Sequence, residues 1–197
     1  MDALLLSGGV DSVALAAWRR PQVGITIDYG QACASAEFRA AAQVCRDLKI
    51  DHHCLTVSAA ELGSGDLAGK PAHPEAPASD WWPFRNQFLL TVGAMRAVAL
   101  GLDRLLIGIV KSDSFHSDGT GEFVEWMDGV LKLQEGHLRV DAPAIRMTSV
   151  KLIRESRIPM SVLCWAHSCH TANQACGRCR GCNKHRDVMA ELGYEPY

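Results

Sequence analysis

Through the first half of the chain, short apolar runs alternate with stretches of helical spacing. Ala3–Leu6 is an unbroken apolar run, the pattern of a strand buried on both faces of a parallel sheet. A Ser-Gly-Gly turn follows, then helical spacing from about Val10 to Arg19, which Pro21 ends. Val23–Asp28 predicts a second strand. Ser35–Leu48 aligns Phe38, Ala41, Ala42 and Cys45 on one helical face, and His52–Val57 predicts a third strand. This β-α-β-α-β order predicts a parallel α/β sheet with right-handed crossovers.

The pattern then breaks. Residues 60–83 hold three Gly and four Pro among small residues, which predicts a mobile loop, and a loop of that length in a compact domain is usually functional or disordered. Arg85–Leu100 reads as a helix stopped by Gly101, Arg104–Val110 as a strand, Gly121–Gln134 as a helix, and Thr148–Ser156 as a short helix. A cysteine-rich stretch follows, and Asn183–Leu192 predicts a closing helix. No internal repeat is visible. The expected division is an α/β domain over residues 1–145 and a helical, metal-binding segment over 146–197.

Charge and composition narrow the function. Twenty Lys and Arg against 22 Asp and Glu give a net charge of −2, which provides no general nucleic-acid or membrane surface. No apolar run approaches the roughly 20 residues of a membrane span. Met1–Leu6 is apolar but lacks a basic leader, so it reads as a strand and the protein as cytoplasmic. Of eight cysteines, Cys33, Cys45 and Cys54 are scattered and expected to be buried as small apolar residues. The other five, Cys164 to Cys182, crowd one stretch, as in a metal site in a reducing compartment.

Two motifs carry chemistry. Ser7-Gly8-Gly9-Val10-Asp11-Ser12 directly follows the first strand and opens a helix. Glycines let backbone N–H groups turn inward, and the helix N-terminus adds partial positive charge, so phosphate is the natural ligand. Ser7 and Ser12 add hydroxyl donors, and Asp11 can hold a magnesium ion that bridges phosphates. The spacing is neither that of a Walker A loop nor that of a dinucleotide fingerprint. The second motif, Cys169-x6-Cys176-x2-Cys179-x2-Cys182, suits four thiolates on one tetrahedral zinc, with an iron–sulfur cluster as the alternative. His167 and His170 lie close enough to compete as ligands, though they read more simply as loop residues.

The first motif resembles the PP-loop of N-type ATP pyrophosphatases, which cleave ATP to AMP and pyrophosphate and adenylate a substrate oxygen. Together with the cysteines, the chain resembles the 7-cyano-7-deazaguanine synthase family. The matching pieces are Ser7–Ser12, Asp28-Tyr29-Gly30-Gln31, Pro83-Phe84-Arg85-Asn86, Ile107-Gly108-Ile109, Asp118 with Glu122-Phe123, and the four cysteines. The resemblance implies an adenine nucleotide alpha hydrolase-like (Rossmann-like, PP-loop) fold. It also implies that 7-carboxy-7-deazaguanine, ATP and ammonia yield an amide and then a nitrile, with Mg2+ and Zn2+ bound and a homodimer formed. Ser7, Gly8, Gly9, Val10, Asp11 and Ser12 would hold the nucleotide, with Asp28, Tyr29 and Gln31 beside it. Ser7, Asp11, Ser12 and Arg85 would be catalytic, while Arg85, Asn86, Asp113 and Asp118 would bind substrate.

Three departures stand out. Ala32-Cys33, Gly119-Thr120 and Thr148-Ser149 occupy positions where the family pattern usually reads Arg-His, Cys-Arg and Thr-Lys. Basic side chains are lost at each, two of them near expected substrate contacts. Some relatives sit in antiphage defence systems, so a different acceptor such as a protein partner is the first alternative. A nucleotide-binding module without catalysis is the second. A tRNA-thiolating relative would need a catalytic cysteine pair and a basic RNA surface, which this charge balance does not supply.

Overall fold

The computed structural model describes residues 1–195, so the last two positions of the expected segment 146–197 lie outside the described range. In chain order the elements are β1 (Asp2–Leu5), α1 (Val10–Arg19), β2 (Val23–Asp28), α2 (Ala34–Leu48), β3 (Asp51–Thr56), α3 (Gly65–Ala68), α4 (Arg85–Ala99), β4 (Arg104–Leu106), α5 (Gly121–Leu133), β5 (Arg139–Asp141), α6 (Ser149–Ser156), α7 (Met160–Leu163) and α8 (Arg180–Leu192). All strand pairs are parallel, in the order β3-β2-β1-β4-β5. This is the expected α/β sheet with helices on both faces.

Local chemistry sets most boundaries. Arg20 takes a left-handed conformation at the end of α1, and Pro21 prevents continuation. Thr120 and Thr148 cap α5 and α6 by accepting the N–H groups of Phe123 and Lys151 at 3.2 and 3.1 Å. Gly193, at φ +81°, closes α8.

The period-two alternation of β1 divides the interior. Leu4 and Leu6 face a layer built with α1, α2, α6, α7 and α8, whereas Ala3 and Leu5 face one built with α4 and α5. Leu4, Leu15 and Leu152 are fully buried in the first layer, each contributing about 1.5–3 kcal/mol. Val150, Ile153, Leu163, Val188 and Met189 share that layer, so the segment after residue 145 completes the same core. Cys45 belongs there as well. A Cβ on Gly24 would sit 3.0 Å from its Sγ, and burial pushes its thiol up to about 12. Cys33 is buried as expected, but Cys54 is exposed, because β3 is an edge strand.

Two strands differ from the sequence-based expectation. β4 stops at Leu106, short of Val110, because the chain lifts over the start of α1: a Cβ on Gly108 would lie 3.3 Å from Ser12 Cα. β5 was not expected; its three residues are too few to show alternation. Asp128 of α5 secures it, accepting three hydrogen bonds of 2.9, 3.2 and 2.8 Å from Arg139 and one of 2.7 Å from the Val140 N–H. The stretch 60–83 is an excursion that meets the end of β2 at two points, while residues 69–75 are exposed. Trp82 is buried edge-on to Tyr29 at 4.8 Å, and the Leu67 carbonyl accepts the Ala32 N–H. Its small-residue composition masks these two apolar anchors. Among the described residues no helix is long and apolar enough to cross a membrane.

Candidate active site

Strand order reverses direction between β1 and β4, and open α/β sheets bind ligands in the crevice at such a point. A cavity of about 1020 Å³ opens there. The loop between β1 and α1 forms its floor. Gly8 holds φ +78°, and a Cβ on it would lie 2.9 Å from both Ala40 Cβ and the Glu37 carbonyl, so only glycine fits. Ser12 Oγ donates to the Gly9 carbonyl at 2.9 Å and lies 3.2 Å from Ser7 Oγ. Gly9 precedes α1 without a side-chain cap, and Val10, Asp11 and Ser12 line the cavity. The first N–H groups of α1 are thereby left for an anion.

Asp11 projects from this first turn. Its Oδ2 lies 2.8 Å from Lys184 Nζ, while its Oδ1 is buried with no hydrogen-bond partner. Lys184 also contacts Asp113 Oδ1 at 3.0 Å. Burial disfavours the Lys184 ammonium, but the two carboxylates outweigh it and raise its pKa. Asp113 Oδ2 accepts the Val110 N–H at 3.0 Å, which fixes its carboxylate.

The residues after β2 divide their roles. Asp28 accepts the Gly30 N–H at 2.9 Å and shapes the turn. Gln31 points inward, accepting the Tyr29 N–H at 2.8 Å and donating to the Ile27 carbonyl at 3.0 Å and Glu37 Oε2 at 2.7 Å. Of the three, Tyr29 lines the cavity. Across from it, Arg85 opens α4 among Tyr29, Asp118, Asp80 and Asp113. Asn86 and Asp118 hold each other: the Asn86 N–H donates to Asp118 Oδ2 at 3.1 Å, and its Nδ2 donates to the Asp118 carbonyl at 2.8 Å.

The four cysteines meet at one point. Cys169, Cys176, Cys179 and Cys182 place their sulfurs within 4.8 Å of one another, with pairs at 3.9 and 4.0 Å. The Thr171 hydroxyl, helped by backbone N–H groups, holds the Cys176 thiol down to about 5. Cys179 Sγ accepts the N–H groups of His170 and Cys182 at 3.3 and 3.4 Å. Such bonds favour thiolates, the form that binds a metal, but burial outweighs them at Cys179 and pushes the Cys182 thiol up to about 12. His167 and His170 stand outside the set. The His167 ring meets the Ala172 carbonyl at 3.0 Å, and its backbone N–H donates to the Gly8 carbonyl at 2.9 Å, tying this segment to the phosphate loop.

Sequence reasoning missed Lys184, Asp80 and Glu37. Asp80 lies 3.4 Å from Arg180, 3.5 Å from His170 and 3.7 Å from His116, which joins the 60–83 excursion to the cysteine segment. Its only available signal was a carboxylate beside two tryptophans. Glu37 is visible in sequence only as a first-turn helix residue, yet it lines the cavity. Burial pushes its carboxyl up, against the hydrogen bonds from Gln31 and Cys33. A carboxyl raised on folding costs nothing at low pH, where both states are protonated. The cost grows as pH climbs past the unfolded value near about 4.3. Glu37→Gln is therefore expected to stabilise the protein by about 1 kcal/mol at pH 8, or about 2–4 °C in Tm, and by much less at pH 4.5. Thermal unfolding at both pH values checks this, and equal shifts would refute an ionisation cause.

A parallel sheet of this order, with a Ser-Gly-Gly-Val-Asp-Ser loop opening its first helix, defines an α/β fold of the PP-loop class. Within that class the chain belongs to the family described as queuosine biosynthesis protein QueC, whose profile it matches over residues 2–193. It is 32% identical to the 7-cyano-7-deazaguanine synthase 1 of Desulfitobacterium hafniense, over 91% of this chain and 86% of that protein. It is 26% identical to the 7-cyano-7-deazaguanine synthase of Methanocaldococcus jannaschii, over 97% and 95%. Among solved structures it resembles the U34-tRNA thiolase NcsA from Methanococcus maripaludis with its 4Fe-4S cluster. That likeness has a TM-score of 0.56 at 15% identity and covers 97% of this chain and 64% of that one. At that identity it speaks for the fold alone.

Proposed function

We propose that the protein converts a 7-carboxy-7-deazaguanine to its nitrile through two ATP-dependent adenylations, with ammonia as nitrogen donor. The observation that carries this reading is the phosphate loop on the floor of a cavity of about 1020 Å³, with Arg85 in the wall. The relatives named as 7-cyano-7-deazaguanine synthases supply the substrate class.

In the first half-reaction a carboxylate oxygen attacks the α-phosphorus and pyrophosphate leaves. Ammonia then attacks the acyl carbon, AMP departs, and the amide remains. In the second, the amide oxygen attacks another α-phosphorus and pyrophosphate leaves, after which loss of AMP and of both N–H protons leaves the nitrile. The protein's part is positioning and charge stabilisation. The Gly8, Gly9 and Val10 backbone with Ser7 and Ser12 cradles the leaving pyrophosphate. Arg85 offers a fork of donors to the carboxylate or the α-phosphate. Tyr29 walls the site. Asn86 holds Asp118, and Asp113 and Asp118 present carboxylate oxygens to the amino-imine edge of the ring.

The unpartnered Asp11 Oδ1 fits a magnesium ligand, and such an ion would offset phosphate charge there. The four sulfurs fit one tetrahedral zinc: Zn–S bonds of about 2.3 Å require sulfurs roughly 3.8 Å apart. A 4Fe-4S cubane spreads its thiolates over four separate corners, so this compact set favours a single ion. With four protein ligands the site is closed and structural.

Incubation with ATP, magnesium, ammonium and 7-carboxy-7-deazaguanine, followed by mass spectrometry, tests the reading. AMP together with amide or nitrile is expected. AMP without a modified deazapurine would assign the adenylation to another acceptor, and no AMP would remove the enzymatic reading.

A further inference from the structure

Lys184 forms an ion pair with Asp11 of the phosphate loop, and nothing in the chemistry above uses it. It rises from the first turns of α8, two residues beyond Cys182, and lines the same cavity as Ser7, Gly9 and Ser12. Its Nζ lies 2.8 Å from Asp11 Oδ2 and 3.0 Å from Asp113 Oδ1. Two carboxylates and one ammonium leave this trio with a net negative charge, beside loop N–H groups suited to an anion. A polyphosphate arriving there meets repulsion unless the cations are rearranged. The geometry provides the rearrangement. Asp11 still has one buried oxygen with no partner, so a divalent cation can bind Asp11 and take the place of the ammonium. Lys184 is then free to turn from carboxylate to phosphate within the cavity that it already lines.

We propose that Lys184 is the site's cationic phosphate ligand, stored between Asp11 and Asp113 in the free protein and transferred to the pyrophosphate moiety of ATP on binding. It is a catalytic residue, because it touches the leaving group and offsets the charge that develops there. Its placement depends on the cysteine knuckle: Cys179 caps α8, and Cys179 Sγ accepts the Cys182 N–H, which fixes the turn that carries the lysine. A compact ammonium on a flexible stem can make such a transfer more readily than a rigid guanidinium fork.

This proposal rests on the ATP reading, and its test separates the two. Affinities for α,β-methylene-ATP, pyrophosphate and AMP are measured by calorimetry with magnesium, on the metal-loaded protein and on Lys184→Ala. Where two unscreened carboxylates unfold that variant, Asp113→Asn with Lys184→Met serves instead, since it keeps the trio's net charge. The expected result is a loss of about ten- to hundredfold for the ATP analogue and for pyrophosphate, the range of one charge-assisted hydrogen bond. AMP, which lacks the β- and γ-phosphates, should change less than about twofold by the same arithmetic. Unchanged affinity for the ATP analogue, or an equal loss for AMP, would overturn the role of Lys184 while leaving the ATP reading in place. Wild-type protein that binds neither the ATP analogue nor pyrophosphate would overturn both.

Discussion

Asp11→Asn is expected to lower pyrophosphate release from ATP by about 100- to 1000-fold, the usual cost of removing one preorganised charged group from a reacting centre. Its position makes it the most sensitive residue of the loop. Its backbone belongs to the first turn of α1, its Oδ2 meets Lys184, and its Oδ1 is buried and unpartnered. An amide in its place preserves shape but removes the charge that would hold a divalent cation. Stability should change little, because Lys184 keeps Asp113 as a partner at 3.0 Å. A coupled assay for pyrophosphate, with a melting curve on the same sample, reads both effects. Retained turnover in a folded Asp11→Asn would move the metal role elsewhere and weaken the case for a pyrophosphate-binding loop.

With a metal on the four thiolates, as proposed above, stripping it or replacing Cys169 with Ser is expected to be the most destabilising change. Apparent binding free energies for structural zinc in small thiolate sites reach about 10–16 kcal/mol. A loss of about 4 kcal/mol from that total would lower Tm by about 8–16 °C in a chain of this size. The effect should extend beyond the knuckle. α8 contributes Val188 and Met189 to the core, and the same segment brings Lys184 to Asp11 and the His167 N–H to the Gly8 carbonyl. The metal-free protein should therefore lose nucleotide binding along with stability. Calorimetric melting before and after chelation, with metal content measured by mass spectrometry, checks this. An unchanged melt in protein shown to be metal-free would mean that the thiols stand without an ion.

The three lost basic positions look different once the cavity is seen. Cys33 is buried beneath Glu37, Thr120 caps α5, and Ser149 is a buried first-turn residue of α6. Basic groups nonetheless reach the cavity as Lys111, Arg180 and Lys184, two of them from the cysteine segment. Positive charge is thus present in the cavity but comes from other elements. Residues 60–83 show the same limit of local patterns. Their glycines and prolines predict a mobile loop, and the composition hides that Trp82 and Leu67 are buried within it.

The sequence by itself determined the parallel α/β alternation, the glycine-turned phosphate loop at the end of β1, and the four thiolates at the spacing of one metal. Each is local. A strand's period, a helix's cap and a pair of cysteines three residues apart are constraints written within a few consecutive positions. Only the tertiary structure decided that β5 completes the sheet, that Gln31 turns inward and Glu37 faces the cavity, and that Asp80 meets Arg180. It also decided that Lys184, near the far end of the chain, stands against Asp11. Ion pairs and cavity walls of this kind arise when right-handed crossovers and the cysteine knuckle bring distant segments to one crevice. Charge leaves no periodic trace along the chain to announce its partner.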